Sequence, residues 1–324
     1  LGRQGIQSPD TKKHWFQVVE SLAAKDNDYT VWELCELLGK TKQAYYKRRK
    51  QDYKTRFVES IILQYAADMR KADPGLGCWK IWHEFNLHST GISIGRDHFL
   101  EVLYAKGFKI RNTMPSAPRT TDSSHNYPLY PNLVKDLLLT RVNQVWVSDI
   151  TYIKIWLSDE SYAFCYLTVI MDDYNKEIIG YSIHDTLEAE GCVVALEMAL
   201  ANRTGDLSML IHHSDRGVQY ASFRYTQLLK SHFIRISMTE TGDPKDNASA
   251  ERINGTIKNE LLYGIRFTDI NHAREVMEKK IAFYNKRRPH MSLGMMKPVE
   301  CRNMTGAMDT KWDRKREKYL KEEE

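Results

Sequence analysis

The order of strand-like and helix-like runs after Asn143 constrains this chain more than any other feature. Val145 to Ile155, Tyr162 to Met171 and Glu177 to His184 are rich in β-branched and aromatic residues. Short polar turns separate them, so they read as three strands of an antiparallel meander. Leu187 to Ala201 then has a helical pattern, Leu207 to His212 is a short apolar strand, Ser222 to Ser231 is helical and Ile234 to Met238 is a further strand. Helices at about Ala248–Leu261 and Asn271–Lys286 close the series. Three strands, helix, strand, helix, strand, helix predicts a mixed five-stranded α/β sheet.

Three acids stand out against that pattern. Asp149 lies inside the first strand, within Trp146-Val147-Ser148-Asp149-Ile150-Thr151-Tyr152, where β-branched neighbours make a carboxylate unexpected. Burying it costs several kcal/mol unless it is paired or bound to metal. Asp215 follows a short apolar strand in His212-His213-Ser214-Asp215-Arg216-Gly217, and ligands of open α/β sheets sit at the carboxyl ends of strands. Glu251 falls on a helix that starts after Asp246-Asn247, with Asn247 a candidate cap. Glu251, Asn254 and Lys258 are spaced i, i+3, i+7 and share a face. Each acid alone has a plainer reading: an edge-strand residue, a turn-former before Gly217, a solvated helix position. Together, in this order, they fit phosphodiester cleavage by two metal ions, which needs a few carboxylates to hold ions roughly 3.5–4 Å apart. Asp172 and Asp173 end the second strand and read as turn-formers, and His213 as a polar neighbour of the site.

The front of the chain is helical. Val31, Leu34, Cys35 and Leu38 have helix spacing, Gly39 stops that helix, and Thr41 can cap a second one running through Tyr45, Tyr46 and Arg49. Helix, Gly-containing turn and basic aromatic helix is the helix-turn-helix pattern; it would present Lys42, Gln43, Tyr46, Lys47 and Arg48 to DNA. An ordinary helical hairpin is the plainer reading. Helices at Phe57–Met69 and Cys78–Phe85, and one from Gly95-Arg96-Asp97 to Ala105, suggest a second DNA-reading bundle with Arg96 at its recognition helix. The predicted organisation is a helix-turn-helix region over 1–54, a second helical module over 55–108, a basic Pro-containing linker over 109–142, the α/β core over 143–298 and a charged tail over 299–324.

Charge agrees with this division. Residues 1–130 hold 20 Lys and Arg against 14 Asp and Glu, whereas residues 131–324 hold 27 against 28. A basic front fits a polyanion, and a near-neutral back fits acids that work with cations. No run reaches the roughly eighteen apolar residues of a membrane span, and 1–10 has no signal-peptide character, so the expected location is cytoplasmic. Five scattered cysteines lack zinc spacing and read as free thiols. No initiator Met heads the chain, the pattern of a piece or of a product joined to upstream sequence.

With these residues in view the chain resembles the DDE transposases of the bacterial insertion-sequence-three family, large catalytic subunit, whose core is shared with retroviral integrases. The matching blocks are Val145-Trp-Val-Ser-Asp149-Ile-Thr-Tyr-Ile153, His213-Ser-Asp215-Arg-Gly-Val-Gln-Tyr220, Asp246-Asn-Ala-Ser-Ala-Glu251-Arg-Ile-Asn-Gly-Thr-Ile-Lys258 and Tyr284-Asn-Lys-Arg-Arg-Pro-His290-Met-Ser-Leu-Gly294. Thirty-five residues separate Asp215 from Glu251, the spacing expected for the family. The resemblance implies a ribonuclease-H-like core preceded by all-α helix-turn-helix modules. It implies that Asp149, Asp215 and Glu251 bind two Mg²⁺ or Mn²⁺ ions. Lys258 would contact transposon-end DNA, with Asn254, Gln219, Arg288 and His290 positioning DNA or supporting the site. The partners implied are double-stranded DNA, as terminal inverted repeats and target, and further copies of the chain in a synaptic complex. The reaction implied is hydrolysis to expose a 3′-hydroxyl, then its attack on another phosphodiester, through a circular intermediate. Lys176 stands where the family pattern has Arg, and no zinc module of retroviral type precedes the core. Competing readings are a DNA-binding regulator with an inert core and a ribonuclease H or resolvase-like nuclease.

Overall fold

The computed structural model describes residues 14–24, 29–89, 91–110, 127–135, 137–202, 207, 209–240 and 247–308. In chain order the helices and strands are α1 (Trp15–Ala23), α2 (Val31–Leu37), α3 (Lys42–Ala72), α4 (Cys78–His88), α5 (Arg96–Ala105), β1 (Val145–Trp156), β2 (Tyr162–Asp172), β3 (Ile178–His184), α6 (Ala189–Ala201), β4 (Ile211–Ser214), α7 (Val218–Ala221), α8 (Phe223–Ser231), β5 (Arg235–Met238), α9 (Ala248–Thr256) and α10 (Ile270–Lys286). A π-helical turn, Ile257–Leu261, continues α9. The chain divides into two compact units, Leu1–Ala66 with Ser89–Gly107, and Ala67–His88 with Phe108–Glu324.

In the first unit, Thr30 and Glu33 cap α2 reciprocally, satisfying donors that a helix start leaves open. Gly39 takes φ +64, which an L side chain resists, and Thr41 Oγ1 accepts the Ala44 N–H over 3.1 Å to start α3. Phe16, Val19, Leu34, Cys35 and Tyr45 form the core between α1, α2 and the start of α3. Neither Gly nor Pro occurs from Lys42 to Ala72, so α3 runs unbroken. The separate helix expected over Phe57–Met69 is therefore its second half, and no break falls near residue 54.

In the second unit the sheet order is β3-β2-β1-β4-β5. β1–β2 and β2–β3 are antiparallel, whereas β1–β4 and β4–β5 are parallel. Alternation along β1 divides its side chains between two cores. Val145, Val147, Ile153 and Ile155 face the core that includes Ile253, Ile257, Met277 and Ile281 of the C-terminal helical segments. Trp146 faces the other, with Leu196, Tyr220, Tyr225 and Leu229 from α6, α7 and α8. The architecture is the mixed α/β, ribonuclease-H-like sheet that the order of runs predicts.

Two elements differ from expectation. The strand read over Leu207–His212 begins at Ile211, because Leu210 closes a turn by donating to the Leu207 carbonyl over 3.0 Å. The helix read over Ala248–Leu261 loses α geometry after Thr256. The expected linker has neither helix nor strand over 127–135 and 137–142, while 111–126 and the tail over 309–324 lie outside the described residues.

Candidate active site

The last paired residues of parallel strands β1 and β4 are Val147 and His213. Two residues beyond each come Asp149 and Asp215. Parallel strands hold side chains at equal steps past a shared pair next to one another. Accordingly Asp149 and Asp215, both half-buried, line one small cleft with Ile150, Tyr152, Leu187, Gly217 and Gln219.

Asp149 is held at both oxygens. Oδ1 accepts the Ile150 N–H over 2.9 Å and Oδ2 accepts Nδ2 of Asn254 over 2.8 Å. Burial and then the Asp215 charge push its carboxyl up to about 7; the Asn254 and Ile150 bonds pull it down, and Glu251 adds to the rise. Asp215 Oδ1 accepts the Gly217 N–H over 2.9 Å, so the turn role and the site role coexist in one residue. A Cβ at residue 217 would stand 3.0 Å from Asp215 Oδ1 and 3.0 Å from Gln219 Oε1, and glycine leaves that space open.

Helix α9 supplies the third side of the cluster. Asn247 occupies the cap position without a side-chain cap bond, contrary to its expected role; its Nδ2 donates instead to the Ser148 carbonyl over 3.2 Å. Asn247 and Asn254 are two turns apart on one helix face, so two amides tie α9 to consecutive residues of β1. Sequence reading missed the Asn247 tie, although its seven-residue spacing from Asn254 marks it. Glu251 lies between them, exposed in the first turn of α9. Lys258 is exposed on the π-helical turn, its ammonium 5.6 Å from the Tyr152 ring centroid. Partial desolvation lowers its pKa, and Asp149 raises it in part.

The donor set suits a hard divalent cation. Its ligands are carboxylate oxygens, and a cation would offset both the burial and the neighbouring Asp215 charge that raise the Asp149 carboxyl to about 7. Asn254 Oδ1 is buried with no hydrogen-bond partner among the described residues, a further oxygen beside the pair. As placed, no three His, Cys, Asp or Glu side chains among the described residues form a ready cage. The arrangement is a pair of acids with Glu251 on the exposed side.

The remaining candidates separate. Gln219 lines the cleft and donates Nε2 to the Leu187 carbonyl over 2.9 Å. His213 is buried with Nδ1 at 2.8 Å from Ser237 Oγ. Arg288 does not reach the surface as a DNA contact would; it is buried and bonds Glu260 through Nε and Nη2 at 3.0 and 2.7 Å, because half-buried Glu260 and fully buried Asp73 need a cation. His290 is half-buried with Nδ1 at 2.9 Å from Ser292 Oγ, and burial together with Arg288 lowers its pKa to about 3. In the first unit Lys42, Gln43, Tyr46, Lys47, Arg48 and Arg96 are all exposed, Arg96 pairing with Asp97 at 2.7 Å. Tyr45 of the expected basic aromatic face turns inward and bonds Glu20. Asp172 is a turn-former, accepting the Asn143 and Tyr174 N–H groups over 2.6 and 2.9 Å. Asp246 lies outside the described residues.

The second unit is thus a mixed five-stranded sheet with Asp149 inside β1 and Asp215 just past β4, two acids in one cleft. The sequence matches two family models, both described as Integrase core domain, over residues 140–244 and 232–298. It is 32% identical to the insertion element IS600 uncharacterized 31 kDa protein of Shigella sonnei, over 83% of this chain and 97% of that one. It is 27% identical to the transposase InsF for insertion sequence IS3A of Escherichia coli K12, over 85% of this chain and 95% of that one. Among solved structures, a simian T-cell lymphotropic virus intasome in complex with a PP2A regulatory subunit matches at TM-score 0.43 and 18% identity, covering 71% of this chain and 74% of that one. The chain belongs to the DDE transposases of the insertion-sequence-three family, with an integrase core domain. Among the described residues no helix is long and apolar enough to cross a membrane.

Proposed function

We propose that this transposase cuts transposon-end DNA to expose 3′-hydroxyls and joins them to a second phosphodiester, with Asp149, Asp215 and Glu251 as its catalytic acids. One observation carries the reading: Asp149 and Asp215 share a cleft just past the last β1–β4 pair, where burial and the Asp215 charge raise the Asp149 carboxyl. A fold gains nothing from such a pair, so a bound cation is its physical justification. Asp149, Asp215 and Glu251 would hold two Mg²⁺ ions, or Mn²⁺ in their place. When bound, the ions supply the charge that activates the attacking oxygen and stabilises the leaving one.

The chain's own residues divide the remaining work. Asn254 orients Asp149, and Gln219 forms the cleft wall opposite. Lys258 meets a phosphate of the transposon end. Arg288 and His290 hold the support behind the π-helical turn. In the hydrolytic step a water oxygen bonds to phosphorus and the 3′ oxygen leaves as a hydroxyl. In the joining step that hydroxyl oxygen bonds to a second phosphorus and displaces another 3′ oxygen, first between the element's two ends to give a circular form. Lys42, Gln43, Tyr46, Lys47, Arg48 and Arg96 contact the terminal repeats, and two ends require at least a dimer. The reaction belongs to the cytoplasm, where chromosomal DNA lies.

The test mixes protein, labelled terminal inverted repeats and Mg²⁺, and follows strand nicking and joining. Asp149→Asn, Asp215→Asn and Glu251→Gln each abolish both products. Wild-type activity in these variants, or cleavage of RNA–DNA hybrids in place of transposon ends, overturns the reading.

A further inference from the structure

β1 and β2 extend well past the point where β4 stops pairing with β1, and pair with each other as far as Trp156 and Tyr162. One face of this extension is core: Ile153, Ile155, Cys165 and Leu167 are buried with Leu262 and Phe267. The opposite face carries Tyr152 across from Tyr166, Lys154 across from Phe164, and Trp156 across from Tyr162. Its rings form a continuous ladder. Tyr166 and Tyr152 stand 5.7 Å apart, Tyr152 and Phe164 5.4 Å, Phe164 and Tyr162 5.3 Å, and Tyr162 and Trp156 5.7 Å. Tyr162 is 47% exposed and Phe164 37%. Tyr152, Trp156 and Tyr166 are half-buried, and five rings in contact along a face that is not core call for an explanation that scattered exposed apolar residues do not.

Cations are interleaved with the rings. Lys154 Nζ stands 4.2 Å from the Tyr162 centroid and the Arg266 guanidinium 4.1 Å from Trp156. Arg266 is also paired with Glu160 at 2.7 Å, while Lys258 stands at the cleft end, 5.6 Å from the Tyr152 centroid. The ladder starts at the cleft itself, because Tyr152 is both its rung and a cleft wall. Flat π faces with ammonium groups between them match an unpaired nucleic-acid strand, whose bases stack while its phosphates meet the cations. A duplex keeps its base faces inside and has no use for exposed rings. From Tyr152 to Trp156 the strand rises ~13 Å, room for about four stacked nucleotides at ~3.4 Å each.

We propose that the Tyr152–Trp156 and Tyr162–Tyr166 ladder is a stacking platform for unpaired DNA nucleotides next to the phosphodiester held in the cleft. The choice of DNA rests on the transposase reading above. The platform separates the strand being cut from its complement and feeds it into the cleft.

The full chain is tested with two fluorescent terminal-repeat duplexes, one blunt and one with a short unpaired tail beside the cleavage site carrying 2-aminopurine. Wild-type protein binds the tailed duplex more tightly and quenches 2-aminopurine by stacking. The double variant Tyr162→Ala, Phe164→Ala loses about tenfold or more in affinity for the tailed duplex, keeps its affinity for the blunt one and no longer quenches. The ring-preserving pair Tyr162→Phe, Phe164→Tyr retains both signals, and matched melting curves exclude a folding defect. Equal loss on both duplexes, or no loss on either, overturns the platform. So does a changed mass by light scattering with DNA binding intact, which makes the face a protein interface. The two readings fail separately. Nicking without tail preference or quenching overturns the platform alone, whereas quenching without nicking by the wild type overturns the transposition chemistry and leaves the platform standing.

Discussion

Asn254 donates from Nδ2 to Asp149 Oδ2 over 2.8 Å, joining helix α9 to strand β1 across 105 residues of sequence. This bond orients one acid of the cleft and holds the helix that bears Glu251. A hydrogen bond to a charged group contributes about 1.5–3 kcal/mol. Asn254→Ala is therefore expected to slow nicking of labelled terminal repeats roughly tenfold to hundredfold. Asn254→Asp puts a third negative charge beside Asp149 and Asp215, and the pH profile of its residual nicking should move to higher pH. An unchanged rate and profile in both variants would remove Asn254 from the site.

Cation binding should be coupled to proton release. With the Asp149 carboxyl raised to about 7, an ion must displace a proton below that pH. Titration calorimetry with Mn²⁺ is expected to give affinity that falls about fivefold from pH 7 to pH 6, with heats that depend on the buffer. Asp149→Asn and Asp215→Asn should each eliminate the binding heat. Binding of equal strength at pH 6 and pH 8 would contradict the coupling.

The buried cluster behind the π-helical turn makes opposite predictions for its two acids. Asp73 is fully buried; desolvation and then Glu260 raise its pKa to about 7, above the 3.8 of an unperturbed aspartate. The folded state thus holds a proton that the unfolded chain releases, and its contribution is lost as pH rises through about 7. Burial opposes ionisation of Glu260 as well, but Arg288 and Lys80 keep its pKa below 4.5, so its contribution is present above that pH and is lost on acidification. In urea unfolding, Asp73→Asn should be more stable than wild type at pH 8 and equal to it near pH 4. Glu260→Gln should cost about 3 kcal/mol or more at pH 8, because it leaves Arg288 and Lys80 without their partner.

Gly180 of β3 lies against α6, where a Cβ would collide with the Ala195 carbonyl oxygen and the Ala199 backbone. Gly180→Ala has no room without moving the helix off the sheet, and such overpacking costs about 1–3 kcal/mol or more. Thermal melting should show a lower midpoint for this variant, whereas Gly255→Ala, inside α9 where a Cβ meets nothing, should melt slightly above wild type because alanine favours the helix by about 0.5–1 kcal/mol.

Much of the fold is legible from side-chain pattern alone. The β-branched and aromatic richness of Val145–Ile155 and Tyr162–Met171 marks strands, and Gly39 and Gly95 punctuate helices at the places expected. The errors have physical causes. α3 is continuous because nothing between residues 42 and 72 breaks a helix, yet its changing polarity reads as two elements. β4 starts at Ile211 because a local turn at Leu207–Leu210 holds the chain, and periodicity does not report that hydrogen bond. Arg288 looks like a surface cation in a basic motif, but burial beside Glu260 and Asp73 gives it an inward role.

The sequence by itself determined the order of elements and the chemical character of the candidate site, because periodicity and the misfit of an acid among apolar neighbours are local properties. It marked Asp149, Asp215 and Glu251 by type and context. Only the tertiary structure decided which groups meet. The parallel register of β1 and β4 sets Asp149 beside Asp215, two amides dock α9 onto β1, and the β1–β2 pairing that runs past β4 lines up an aromatic ladder. Such relations depend on strand register and helix placement, which are set by burial summed over the whole unit and not by any local run of residues.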